Sequence, residues 1–264
     1  MHQKYLQTES AFSYNGVALD VAVFMIVIER VVMAWKNFYI AAGMVNAAAL
    51  PFLKSISGGM NLPDGPCIIA ANHSSFLDGP LLALAYARLK YKPLHMVAYE
   101  EPFNNWLMGW VLRSGRCIPF RRGSNDSQYD MLKTALGWLA SGEAVGIFPE
   151  GHINQAEYLN RPRQGAAMLA LESGVPIIPA AINGSSETLP LGKAIPRAGR
   201  RITIHFGQSI GFFPKEKTYC HADREDRKNM LQSLSIRIMN ELEKLTGRKQ
   251  RPHKRNEKAS TDDV

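Results

Sequence analysis

Between residues 59 and 246, apolar runs too short for helices alternate with segments of helical periodicity. The strand-like runs are Cys67–Ala71, Leu94–Val97, Ala144–Phe148, Ile177–Ile182 and Arg201–Phe206. The helix-like segments are Gly79–Arg88, Asn104–Arg113, Asp126–Ser141, Arg163–Ser173 and Arg224–Leu245. Such alternation is the pattern of an α/β protein: a mixed sheet flanked by helices. No internal repeat interrupts it.

Residues 16–53 have a different texture. Val17, Val21, Phe24, Ile28, Val31, Trp35, Phe38 and Ala42 recur at steps of three and four, a helical stripe. Glu29, Arg30 and Lys36 interrupt it, and the longest uncharged piece, Asn37–Leu53, has 17 residues and contains Pro51. A span needs about 20 residues. The expectation is an N-terminal pair of membrane-associating helices that lie in or dip into one leaflet, with Trp35, Phe38 and Tyr39 as interfacial aromatics. Asp20, Glu29 and Arg30 do not fit a secretory leader.

The net charge is +8 over 264 residues, which favours an anionic partner. Arg248, Lys249, Arg251, Lys254, Arg255 and Lys258 face only Glu257, so the C-terminus reads as a basic disordered tail attracted to acidic headgroups. No aromatic residues interleave these charges, which argues against a nucleic-acid partner. Three cysteines, Cys67, Cys117 and Cys220, form no close pair, so neither a disulfide framework nor a metal site is expected. The expected organisation is 1–58 membrane-associating, 59–246 catalytic and 247–264 tail. The expected location is the cytoplasmic face of a membrane, monotopic or peripheral.

Asn72-His73-Ser74-Ser75-Phe76-Leu77-Asp78 follows the strand-like run CIIAA and precedes Gly79-Pro80, where proline suits a first helical turn. His73 therefore sits just past a strand end, where sites in open α/β sheets gather. A carboxylate five residues on can fold back onto one imidazole nitrogen and leave the other as a base. A hydroxyl needs such a base to become a nucleophile. Phe148-Pro149-Glu150-Gly151 closes a second strand-like run, and its carboxylate is placed to bind an acceptor's hydroxyls. Arg121 and Arg122 end the segment Ile118-Pro119-Phe120 and are candidates for a phosphate clamp. Val175-Pro176-Ile177-Ile178-Pro179 is a strand bracketed by prolines.

Four ordered blocks, NHSSFLD (72–78), GRCIPFRR (115–122), FPEG (148–151) and VPIIP (175–179), give the sequence a resemblance to the glycerophospholipid acyltransferase family. The resemblance covers about residues 59–210 and implies acylation of a lysophospholipid such as 1-acylglycerol-3-phosphate, in phospholipid biosynthesis. It implies His73 as the base, Asp78 as its orienting partner, and an acyl-CoA or acyl-carrier protein donor attacked directly, without cofactor or metal. It also implies that Arg121, Glu150 and Gly151 bind the acceptor headgroup. Ser74, Ser75, Pro149 and Pro176 support the motifs, with backbone amides near Ser74–Asp78 as oxyanion donors.

Two departures bear on the acceptor. Block three continues His152-Ile153-Asn154 rather than with a hydroxyl residue and a cation, and Val97-Ala98-Tyr99-Glu100 lacks a lysine before its glutamate. Arg121, Arg122 or Arg163 is then needed to meet a phosphate; otherwise the acceptor is another lysolipid or a lipid alcohol. A serine hydrolase is disfavoured because no Gly-x-Ser-x-Gly elbow is present. A non-catalytic membrane-surface protein leaves the His/Asp pair and FPEG unexplained.

Overall fold

The computed structural model describes residues 36–49, 51–193, 195–197, 199, 201–211, 219 and 222–251. The first expected N-terminal helix and the tail beyond residue 251 lie outside these residues. The second helix is present as α1, residues 36–49. No helix among the described residues is long and apolar enough to cross a membrane.

Seven strands form one sheet: β1 (Leu53–Ser57), β2 (Ile68–Ala71), β3 (Leu94–Tyr99), β4 (Ile118–Phe120), β5 (Ala144–Ile147), β6 (Ile177–Asn183) and β7 (Ile202–Phe206). Their order is β1-β7-β6-β2-β5-β3-β4. β6, β2, β5, β3 and β4 are mutually parallel, while β7 runs antiparallel to β6 and parallel to β1. The sheet is therefore mixed. The five parallel strands deliver their carboxyl ends to one edge.

The helices between strands are α2 (Asp78–Lys90), α3 (Trp106–Ser114), α4 (Asn125–Ala140), α5 (Gly165–Ser173), the short α6 (Ser185–Thr188) and the terminal α7 (Arg224–Thr246). In β2, Ile68 and Ala70 pack toward α4, α5 and α7, while Ile69 and Ala71 pack toward α1 and α2. A strand covered on both faces reads as a continuous apolar run, which is why CIIAA and AVGIF stand out in the sequence. The helix ends obey local chemistry. Asn105 caps α3 by accepting from the amides of Leu107 and Met108, and Asp223 caps α7 by accepting from Asp226.

Two strands went unseen in the sequence. β1 (LKSIS) is an edge strand with Lys54 exposed, and β4 is only three residues with Pro119 inside it. Pro119 carries no amide donor, a lack tolerated on an edge strand. Residues 53–57 pair with β7 in the same seven-stranded sheet as the strands that follow. At the other end, Gly247 closes α7 in a left-handed conformation, and residues 248–251 are folded back onto the loop around Leu159.

Candidate active site

β2 and β5 are hydrogen-bonded neighbours, so the segments that follow them, 72–78 and 148–151, meet although 77 residues separate His73 from Glu150. His73 Nδ1 lies 3.0 Å from Asp78 Oδ2. That same oxygen accepts the Ser74 amide at 2.5 Å and the Ser75 amide at 2.7 Å. Asp78 is fully buried at the first turn of α2, whose positive dipole end favours a carboxylate. Two amides already donate to Oδ2, so it faces Nδ1 as an acceptor and Nδ1 carries the hydrogen between them. Nε2 of His73 then lacks a proton and has no partner among the described residues. The imidazole stacks on Phe148, ring centroids 4.0 Å apart and 9° from parallel, which fixes its plane.

The expected oxyanion donors are elsewhere engaged: the Ser74 and Ser75 amides turn inward to Asp78 rather than outward. The serine hydroxyls are engaged too. Ser74 Oγ meets Ser185 Oγ at 3.0 Å, and Ser75 Oγ donates to the Leu189 carbonyl at 2.9 Å. Neither serine is bonded to His73, so the nucleophile–base pair of a serine hydrolase is absent here.

Glu150 is fully buried, and its carboxylate accepts from the His73 amide at 3.1 Å, Asn154 Nδ2 at 2.7 Å and the Asn160 amide at 2.9 Å. Three internal donors tie it to the strand ends on either side. Gly151 follows with φ +71°, and a Cβ there would meet Arg163 Cγ at 2.9 Å, so glycine suits both the turn and the packing. Pro149 accepts the Arg163 amide at 2.7 Å and so fixes where that arginine leaves the loop.

Arg121 makes a forked ion pair with Glu100, at 2.7 and 2.9 Å. The hydrogen bond to Arg121 holds the Glu100 carboxyl below its ordinary range. The expected phosphate ligand Arg121 is thus paired with a carboxylate and is not among the residues lining the cavity beside His73. Arg122 and Arg163 are exposed, border the cavity beside His73, and have no ion-pair or hydrogen-bond partner for their guanidinium groups among the described residues. Pro176 stands at the start of β6, on the opposite sheet edge from His73. Its carbonyl accepts the Ile68 amide at 3.0 Å and so joins β6 to the start of β2.

A cavity of about 1020 Å³ opens beside His73. Its walls are largely apolar, with Ala83, Leu84, Met96, Leu112, Phe120 and Met168 among them. That volume is at the upper end of the roughly 300–1,000 Å³ common for small-molecule sites. Sequence reasoning missed several members of this site. Asn72 clamps β2 to β6 by donating to the Ile182 carbonyl at 2.9 Å and accepting its amide at 2.7 Å. Phe148, Asn154 and Asn160 were also missed, since their roles depend on partners brought together by the sheet order. Tyr99 donates to the Gly151 carbonyl. His152 Nε2 accepts from Asn160 Nδ2 at 3.0 Å, a satisfied loop histidine on that side.

The half-buried His73 and the buried Asp78 thus pair at the carboxyl edge of a mixed α/β sheet, beside a large apolar cavity. The family model described as Acyltransferase matches residues 54–183. A 1-acyl-sn-glycerol-3-phosphate acyltransferase of Bacillus subtilis is 30% identical, over 73% of this chain and 92% of its own. The chain belongs to this acyltransferase family. A lyso-ornithine lipid O-acyltransferase of Pseudomonas aeruginosa is 35% identical, over 62% of this chain and 60% of its own. The crystal structure of the 1-acyl-sn-glycerophosphate (LPA) acyltransferase PlsC from Thermotoga maritima superposes with a TM-score of 0.56 at 21% identity, covering 78% and 79% of the two chains, and shares the fold. The chain spans about half the length of the chloroplast relatives it matches.

Proposed function

We propose that this chain is an O-acyltransferase of phospholipid biosynthesis. It moves a fatty-acyl group from acyl-CoA or acyl-carrier protein to the free hydroxyl of a lysophospholipid of the 1-acylglycerol-3-phosphate type. The observation that carries the reading is the His73–Asp78 pair, whose free Nε2 borders the apolar cavity. A non-catalytic lipid-binding protein has no use for a buried carboxylate that orients an imidazole.

In the proposed reaction, Asp78 keeps the proton on His73 Nδ1, and Nε2 accepts the proton of the acceptor hydroxyl. The hydroxyl oxygen adds to the thioester carbonyl carbon, and the carbonyl π electrons move to oxygen. With the Ser74 and Ser75 amides held by Asp78, the positive end of α2, where Gly79 meets the cavity, supports that oxyanion. The adduct collapses, the C–S bond breaks, and the leaving thiolate takes the proton from His73 Nε2. An ester is formed, histidine is neutral again, and no acyl-enzyme, cofactor or metal is needed.

The acyl chain occupies the apolar cavity. Arg122 and Arg163, which border that cavity, meet the acceptor's phosphate, while Arg121 is held by Glu100. Membrane lipids are the partners, at the cytoplasmic face, and the enzyme is monotopic or peripheral. A second reading, a lysolipid with a different headgroup, is favoured by the Arg121–Glu100 pair, which removes one cation from the phosphate side.

A panel of lysolipids offered with one labelled acyl thioester tests both. Lysophosphatidate should be the best acceptor by about tenfold, the weight of one charge-assisted contact of about 1.4 kcal/mol. Arg122→Ala and Arg163→Ala should each raise its KM. A preference for another lysolipid, with KM unmoved by either variant, would establish the second reading. No transfer to any acceptor would overturn the enzyme assignment.

A further inference from the structure

Residues 248–251 leave the end of α7 and lie along the loop 154–160. Arg248 reaches into that loop with one guanidinium nitrogen, donating to the carbonyls of Asn154 at 3.2 Å and Tyr158 at 3.3 Å and also to that of Ala156. The Leu159 amide donates to the Lys249 carbonyl at 2.8 Å, and the Arg251 amide donates back to Leu159 at 3.0 Å. Leu159 itself is fully buried in the core between α4, α5 and α7. The loop has no secondary structure of its own beyond this single bridge to the C-terminal segment.

The far side of the loop holds the catalytic strand end. The Asn154 amide donates to the His73 carbonyl at 2.7 Å. Asn154 Nδ2 donates to Glu150 at 2.7 Å and to the Tyr158 carbonyl at 2.7 Å, and Glu150 accepts the His73 amide at 3.1 Å. Gln155 Nε2 donates to the Ser74 carbonyl at 3.0 Å. Both backbone polar groups of His73 are thus tied to the 150–160 segment, and Arg248 binds three carbonyls within it. The Asn154 carbonyl that Arg248 holds belongs to the same residue whose amide holds His73.

We propose that the C-terminal segment 248–251 is a strap that positions the His73 backbone through loop 154–160, with Arg248 as its positioning residue. It rests on the reading of His73 as the base, but the placement itself is open to test without turnover. Arg248 touches no substrate. It supplies one charged donor group to three carbonyls of the loop, that of Tyr158 being shared with Asn154 Nδ2, and a loop so held places His73 with less freedom. A fraction of an ångström at a proton-transfer centre is felt in kcat rather than in binding.

The test uses the full chain with Arg248→Ala and Arg248→Lys, and a chain ending at Gly247. Hydrogen–deuterium exchange reads placement directly. In Arg248→Ala the amides of His73, Asn154 and Asn160 should exchange about tenfold faster or more, while β5, β6 and β7 keep their protection. In the same variant kcat should fall about tenfold or more with both KM values within twofold, as expected when positioning and not binding is lost. The lysine variant should recover part of both effects, and the shortened chain should match alanine. Unchanged exchange at His73 and Asn154 would overturn the strap, and so would faster exchange spread across the whole sheet. If the unaltered protein transfers no acyl group, the function fails, and the exchange data alone still decide the strap.

Discussion

His95 illustrates how much a single buried residue can report. It is fully buried in β3, stacks on Trp138 with centroids 4.0 Å apart, and donates from Nδ1 to the Arg116 carbonyl at 3.1 Å. A carbonyl only accepts, so Nδ1 carries the proton, and Nε2 is buried without a partner. Burial pushes the imidazole from 6.5 down to about 4. A depressed folded pKa means the unfolded chain binds the proton first as pH falls. The stabilisation from His95 is therefore complete above pH 6.5 and is lost as pH drops toward about 4, a loss on the order of 3 kcal/mol. His95→Phe keeps the stacking and removes the titration. Urea midpoints measured from pH 7 to pH 4 should fall more steeply for the unaltered protein than for this variant. Parallel curves would mean His95 does not titrate on unfolding.

Glu150 poses the clearest question for the loops that join the elements. If it braces the strand ends, Glu150→Gln turns an acceptor into a donor against Asn154, Asn160 or the His73 amide. That leaves a buried donor unpaired, a cost of about 1–3 kcal/mol. Stability and kcat should both drop while the acceptor KM stays level. A raised KM with unchanged stability would return Glu150 to the role of acceptor ligand. The strand-end location of His73, Asp78 and Glu150 was legible in the sequence, because buried parallel strands write apolar runs and their loops follow at once. The partners were not. Arg121 with Glu100, Glu150 with His73 and Arg248 with Asn154 are 21, 77 and 94 residues apart. Periodicity carries no information on which strand lies beside which. The edge strands β1 and β4 were missed for a related reason: a half-exposed pairing needs no continuous apolar run.

In the molecule as a whole, the sheet order places the His73–Asp78 pair beside the cavity, and the helices α1 to α5 all contribute to its walls. If the acyl chain lies there, Ala83→Trp, which fills the side covered by α2, should shorten the longest acyl chain transferred and spare short ones. An unaltered chain-length profile would place the chain elsewhere. Membrane attachment belongs to this scale too. Because β1 begins at Leu53 and α1 covers 36–49, the deletion that spares the sheet is 1–35. That deletion should weaken co-sedimentation with vesicles containing acidic lipid while leaving the melting temperature close to that of the full chain. Undiminished vesicle binding would assign the attachment to the rest of the molecule.

The central claim is that His73 is the base of an acyl transfer. Its most direct measurement is the single-turnover rate of labelled acyl transfer from acyl-CoA or acyl-carrier protein to lysophosphatidate by His73→Ala. The folded state is checked by its melting temperature. If His73 is the base, the rate should be lower by about 10²–10⁴-fold in a protein that remains folded. A folded His73→Ala enzyme with a rate near that of the unaltered protein would contradict that role.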